Sequence, residues 1–281
     1  MNTYFKTFLL LGILSVIVIW LGGMIGGQGG IYTAFIFALL INGGMYFFSE
    51  KLALSMSRAK PLDPKDHEDI YQIIKELSDK MQIPMPKLYI TPDRQANAFA
   101  TGRGPGHASV AVTAGILDTL SKEELRAVLA HELAHVKNRD VLIATIAAVL
   151  ASTISFIANM AMFGGFGNRD NGENRGAGML GIVFAFLMPI AAAIIQMAIS
   201  RQREFGADDT GARTIGTGEP LAKALVAIHD TARRAPMQSN PALSSLYIGD
   251  PTGGLGGKML HLFSTHPPVE ERIKRLKRIN L

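Results

Sequence analysis

Val128-Leu-Ala-His-Glu-Leu-Ala-His-Val136 is the stretch that decides the fold. It holds His131, Glu132 and His135 in the order H-E-x-x-H. A helix turns about 100° per residue, so the two histidines return to one face, one turn apart. Two neutral imidazoles at that spacing can bind one Zn²⁺, with Glu132 close enough to act on water there. Leu129, Ala130, Leu133 and Ala134 favour a helix. Ser121-Lys-Glu-Glu124 reads as the capping box that starts it. The bland rival is an ordinary helix with two surface histidines.

Working outward, the helix does not obviously stop. Lys137-Asn-Arg-Asp140 leads into Val141-Leu-Ile-Ala-Thr-Ile-Ala-Ala-Val-Leu150, and no Gly or Pro occurs between Lys122 and Phe163. One continuous helix of about 40 residues, about 60 Å long, is expected, half polar and half in lipid. A polar loop, 168–178, separates it from another apolar run, Met179 to Ile199. On the N-terminal side, Tyr4 to Met24 and Ile31 to Phe48 are apolar runs joined by a Gly-rich turn. Four spans in two hairpins are therefore expected. Basic flanks follow the second and fourth spans, Lys51, Arg58 and Lys60 and then Arg201 and Arg203. By the positive-inside rule, both termini and both polar regions lie in the cytoplasm, and the chain is a multi-pass protein of the cytoplasmic (inner) membrane.

Composition agrees. Of 281 residues, 48% are hydrophobic and 18% are charged, and mean hydropathy is +0.22. The lipid bilayer is thus a partner. The net charge of +5 lies beside apolar segments, which argues against nucleic acid. There is no cysteine, so a zinc site must use histidines and carboxylates.

The division expected is a transmembrane hairpin at 1–50, the first part of a cytoplasmic catalytic domain at 51–140, a second hairpin at 141–200, and the rest of that domain at 201–281. A helix opens near Asp63 and Pro64 with Ile70, Ile73, Ile74, Leu77 and Met81 on its apolar face. Lys87–Thr91, Asn97–Thr101 and Ala108–Thr113 are short strand candidates, and Thr113 to Leu120 is a short helix. Pro220 starts an amphipathic helix, Gly249 to Gly257 is a glycine-rich loop, and a basic helix closes the chain. The fold class is an α-helical membrane protein carrying an α+β zincin-like domain, with a small β-sheet beside the H-E-x-x-H helix.

A catalytic zinc needs a third protein ligand and an open position. Candidates are His67, His107, His229, His261, His266 and the acids. Glu204 is favoured by position: it sits where the fourth span returns, as His135 sits where the third departs. Asp208, one turn further on, can hold the outer N–H of a zinc histidine. The alternative is a charge cluster in which Glu204 pairs with Arg201 or Arg203.

His131-Glu-Leu-Ala-His135, the hydrophobic hairpin, Ser200-Arg-Gln-Arg-Glu204-Phe-Gly-Ala-Asp208, Thr265-His-Pro-Pro268 and Asn97-Ala-Phe-Ala-Thr-Gly102 occur in one order. Together they resemble the HtpX family, membrane-bound zinc metalloproteases of bacteria and archaea related to the CAAX prenyl endopeptidases. The resemblance spans essentially the whole chain. It implies that Glu204 is the third zinc ligand, that the site faces the cytoplasm, and that the substrates are unfolded or misassembled membrane proteins cut during stress and quality control.

The expected chemistry is metal-assisted peptide hydrolysis with Glu132 as general base. Asn97, Ala98, Phe99 and Ala100 would form an exposed edge strand to which an extended substrate adds. His266 would donate a hydrogen bond to the oxyanion. Two rivals stand beside this. A metal transporter should carry ligands inside its spans, where only Asn42, Asn159 and Gln196 are found. A scaffold with a structural zinc would close the site with a fourth ligand, and His266 is the candidate. A prenyl endopeptidase would need more than four spans. The oligomeric state is not legible.

Overall fold

A computed structural model of the chain describes residues 3–149, 201–234, 246–250 and 267–279. Helix α1, Thr3–Met56, leaves helical geometry at Gly26 and Gly27, where Gly27 adopts φ +56°. Only glycine enters that region without strain, and the chain reverses there. The two arms then run antiparallel. Asn42 Nδ2 donates to Ser15 Oγ across them at 2.8 Å. Gly22 lies so close to Gly30 and Ala34 that a side chain there would collide with both. The two apolar runs thus pair as a helical hairpin. Trp20, Tyr32, Phe35, Phe37, Leu39 and Leu40 are all exposed, an apolar surface of the kind that marks a membrane or partner contact. Among the described residues one helical stretch, Gly26–Met56, is long and apolar enough to cross a membrane. The expected third and fourth spans fall almost wholly outside the described residues.

The polar part begins at Ser57. Strands β1 (Lys60–Pro61), β2 (Lys87–Thr91), β3 (Ala98–Gly104) and β4 (His107–Thr113) form one sheet in the order β1-β2-β4-β3. The sheet is mixed: β2 and β4 run parallel, with Leu88 opposite Val110, and the other pairs are antiparallel. Helix α2 (Glu68–Met81) covers it with Ile70, Ile73, Ile74, Leu77 and Met81, the apolar face read from the sequence. It starts one turn later than Pro64 suggested. It stops at Gln82, which takes a left-handed conformation (φ +57°). Helix α3 (Ala114–Thr119) is capped by Thr113, whose hydroxyl accepts from the Ile116 N–H.

Helix α4 (Lys122–Lys137) carries H-E-x-x-H, and both bonds of the Ser121–Glu124 capping box are formed. Leu125, Val128, Leu129, Leu133 and Val136 are buried in the main core, with Leu221, Leu225 and Ile228 of the helix at Glu219–Arg234.

The continuous 40-residue helix expected from Lys122 onward is wrong. Helix α4 ends at Asn138, and Arg139 turns left-handed (φ +62°). The Asp140 N–H bonds back to the His135 carbonyl at 3.0 Å. A new helix, α5 (residues 141–149), starts with the Ala144 N–H bonding the Asp140 carbonyl at 3.2 Å. The break is a C-terminal cap made without glycine.

Helix α6 (Arg201–Ile215) packs across α4, α7 (Glu219–Arg234) follows, and α8 (Val269–Leu276) closes the core with Leu276. The residues before 140 and after 201 therefore build one unit around one core.

Candidate active site

Helix α4 presents His131, Glu132 and His135, and α6 presents Glu204 and Asp208 one turn apart. The helices meet at Gly211. A β-carbon built there would lie 3.1 Å from the His131 nitrogen and 3.2 Å from the Ala130 carbonyl carbon. A missing side chain on α6 thus lets its acids reach the histidines of α4.

The three metal-ligand candidates converge. His131 Nε2 and His135 Nε2 are 3.2 Å apart, Glu204 Oε1 is 3.4 Å from His135 Nε2, and Glu204 Oε2 is 3.8 Å from His131 Nε2. Among the described residues this is the one group of three acids or histidines whose ligand atoms all lie within 4.8 Å of one another. Two imidazole nitrogens and a carboxylate form the donor set that suits catalytic zinc. Against the rival reading, in which Glu204 pairs with Arg201 or Arg203, Glu204 lies with the two histidines, although its charge is felt by Arg203.

Each histidine is held from behind. Asp208 Oδ1 lies 2.9 Å from His131 Nδ1 along a bent approach, so His131 turns Nε2 toward Glu204. Asp140 Oδ2 lies 3.5 Å from His135 Nδ1. The role expected of Asp208 has a partner that sequence reading missed. Arg272, on α8, is 1% exposed. It donates from Nε to Asp208 Oδ2 at 2.9 Å and from Nη2 to Asp208 Oδ1 at 2.7 Å. Its Nη1 donates to the Ile248 carbonyl at 3.0 Å and lies 3.8 Å from Glu204 Oε2. In sequence, Glu270-Glu-Arg-Ile-Lys-Arg275 reads as a solvated charge run. The only clue was the helical spacing that puts Arg272 with Val269 and Leu276.

The electrostatics follow from burial of this cluster. Burial pulls His131 down to about 4, against the nearby Asp208 carboxylate. Burial also opposes the charge on His135, but Glu204, Asp140 and Glu132 outweigh it and raise that imidazole to about 9. Burial pushes the Glu132 carboxyl up to about 7, while His135, the Ala100 N–H and Arg272 pull the other way. Burial would raise Asp208 too, but Arg272 and His131 hold it down at about 2. Glu204, Asp140 and Glu132 thus crowd negative charge around His135, while Arg272 answers the charge of Asp208.

Strand β3 is the edge of the sheet, as expected, but it is not exposed. Asn97, Ala98, Phe99 and Ala100 are all buried. The outward N–H groups of alternate residues are engaged. Ala98 donates to Asn97 Oδ1 at 3.1 Å, Ala100 donates to the Glu132 carboxylate, and Gly102 donates to Thr145 Oγ1 at 3.3 Å. The Ala98 carbonyl accepts from Ile248 N at 3.0 Å. Asn97 clamps that neighbouring segment, donating to the Gly249 carbonyl at 3.0 Å and accepting from the Gly249 N–H at 3.3 Å. The chain's own residues 246–250 occupy the edge that the sequence left open. His266 lies outside the described residues.

A model of peptidase family M48 matches residues 64–280, more than three quarters of the chain. The chain belongs to peptidase family M48. Its relatives include the protease HtpX homologs of Syntrophobacter fumaroxidans, 47% identical over 99% of both chains, and of Pelotomaculum thermopropionicum, 47% identical over 96% of this chain and 97% of that one. The homolog from Aquifex aeolicus is 48% identical over 91% of this chain and 86% of its own. The crystal structure of S. mikatae Ste24p has the same fold: TM-score 0.53 at 17% identity, covering 94% of this M48 chain and 62% of that one. This M48 chain is a metallopeptidase, an HtpX protease homolog, as its motif order had indicated.

Proposed function

We propose that this M48 peptidase is an integral-membrane, zinc-dependent endopeptidase that cleaves misfolded or damaged membrane proteins at the cytoplasmic face. The observation that carries the reading is the convergence of His131, His135 and Glu204 beside Glu132, in a chain whose stretch Gly26–Met56 is long and apolar enough to cross a membrane. The relatives named protease HtpX homolog support it. The membrane frame is four spans, the 1–50 and 141–200 hairpins, with 51–140 and 201–281 as one cytoplasmic catalytic domain.

His131, His135 and Glu204 would hold the metal, which when bound supplies Lewis acidity and a water acidic enough to react near neutral pH. Glu132 takes the proton of the attacking water and delivers it to the leaving amine. Its burial suits this task, because a carboxylate near neutral pKa both accepts and returns a proton. The Ala100 N–H, which bonds Glu132 here, would pair with an extended substrate on release from that carboxylate. With Ala98 and Asn97 already committed to Ile248 and Gly249, substrate pairing is short and centred on Ala100. His266 would donate to the oxyanion from the Thr265-His-Pro-Pro268 segment.

The test is the full chain in detergent, stripped by a chelator, then offered zinc and casein. Cleavage restored at one zinc per chain is the expected result. One zinc bound with no cleavage of any unfolded protein would favour a membrane scaffold with a structural zinc.

A further inference from the structure

Asp140 was unremarkable in the sequence. In an unbroken helix it would lie about 140° around the axis from His135, facing elsewhere. The left-handed turn at Arg139 changes this. It folds the backbone so that the Asp140 N–H reaches the His135 carbonyl at 3.0 Å. The same turn brings Asp140 Oδ2 to 3.5 Å from His135 Nδ1. Asp140 is 7% exposed. Its carbonyl accepts the first hydrogen bond of α5, so it also holds the N-cap position of that helix.

We infer that Asp140 is a positioning residue for His135, fixing the ring with Nδ1–H toward the carboxylate and Nε2 toward Glu204. This inference rests on His135 being a metal ligand. Asp208 does the same for His131 from the other side, so the two imidazoles are held by two different elements. The arrangement ties one ligand to the start of α5, the helix that leads into the apolar run 141–163. Histidine ligands whose outer N–H lacks a partner bind metal more weakly, because ring orientation and basicity both suffer.

Asn and Asp are equally good N-caps. Asp140→Asn therefore keeps the cap of α5 while removing the charge behind His135, and Asp140→Ala removes both. The full chain in detergent would be titrated with zinc against a chromophoric chelator, and cobalt(II) absorption would report ligand geometry. The arms are wild type, His135→Ala, Asp140→Asn and Asp140→Ala. For Asp140→Asn we expect zinc affinity about 10- to 100-fold weaker and altered cobalt bands, with helical content by circular dichroism the same as wild type without metal. Zinc affinity of Asp140→Asn within twofold of wild type would overturn the inference and leave Asp140 a helix cap only. Should that variant fold poorly, ¹⁵N-histidine spectra of the zinc-loaded wild type decide. A proton on His135 Nδ1 supports the inference, and metal on Nδ1 overturns it. If the wild type holds no zinc while folded, the metal reading itself fails, a separate outcome.

Discussion

Arg272 grips Asp208 through two hydrogen bonds, 2.9 and 2.7 Å long, and both residues are almost completely buried. Asp208 in turn faces His131. Three elements are thus joined by one guanidinium: α6 through Asp208, the 246–250 segment through the Ile248 carbonyl, and α8, on which the arginine stands. Burying an arginine is costly in itself, but breaking a buried pair costs more, because the surviving charge has no water to turn to.

Arg272→Met should therefore destabilise the metal-free chain by about 3–5 kcal/mol, since it strands Asp208. Asp208→Asn in the same chain should recover part of that loss, because the stranded charge goes with it. Thermal unfolding in detergent would check this. A single variant within about 1 kcal/mol of wild type would show that the pair does not hold the fold.

Gly211 and Gly206 stand on one helix and should respond oppositely to alanine. At Gly211 the new methyl meets the backbone of Ala130 and His131, which cannot swing aside. The expected cost is about 1–3 kcal/mol, with weaker zinc binding as α6 is pushed off α4. At Gly206 nothing lies within 4 Å of the added carbon. There Gly206→Ala should be neutral or stabilise by about 0.5–1 kcal/mol, through helix propensity alone. Equal thermal midpoints for the two variants would contradict the close approach.

Asn97 is fully buried and makes two hydrogen bonds to Gly249. Asn97→Ala should cost about 1–3 kcal/mol, since the Gly249 groups lose their partner. It should also release residues 246–250 from the edge of β3. Amide hydrogen exchange at Ile248 is the direct readout, and unchanged protection there would mean that Asn97 does not clamp the segment.

These residues show which parts of the molecule were legible. The H-E-x-x-H helix was read correctly because its signals are local: a capping box at Ser121 and Glu124, good helix formers, and histidines one turn apart. The strands around Leu88, Phe99 and Val110 were found from turn residues between β-formers. Glu204 and Asp208 were placed by topology, and they lie beside the histidines. The end of α4 was missed because Arg139 makes a left-handed cap that usually calls for glycine, and the one local signal is Asp140, an N-cap residue directly before the apolar run. Arg272 was missed because a buried arginine inside a charged run looks like any other surface cation. The covered edge of β3 depends on a contact across about 150 residues, between Asn97 and Gly249, beyond the reach of any local pattern. The two-residue strand β1 escaped notice because it contains a proline and pairs only at the edge.

In the proposed reaction Glu132 moves the proton while His131, His135 and Glu204 hold the metal. Glu132→Gln separates the two roles, because glutamine fills the same space and cannot accept a proton. Wild type and Glu132→Gln would be purified in detergent under chelation, loaded with zinc, and given casein. Equal zinc stoichiometry is expected in both, with a fall in cleavage of about 100-fold or more in the variant, since general-base catalysis typically contributes 10²–10⁴. Substantial proteolysis by zinc-loaded Glu132→Gln would contradict that role.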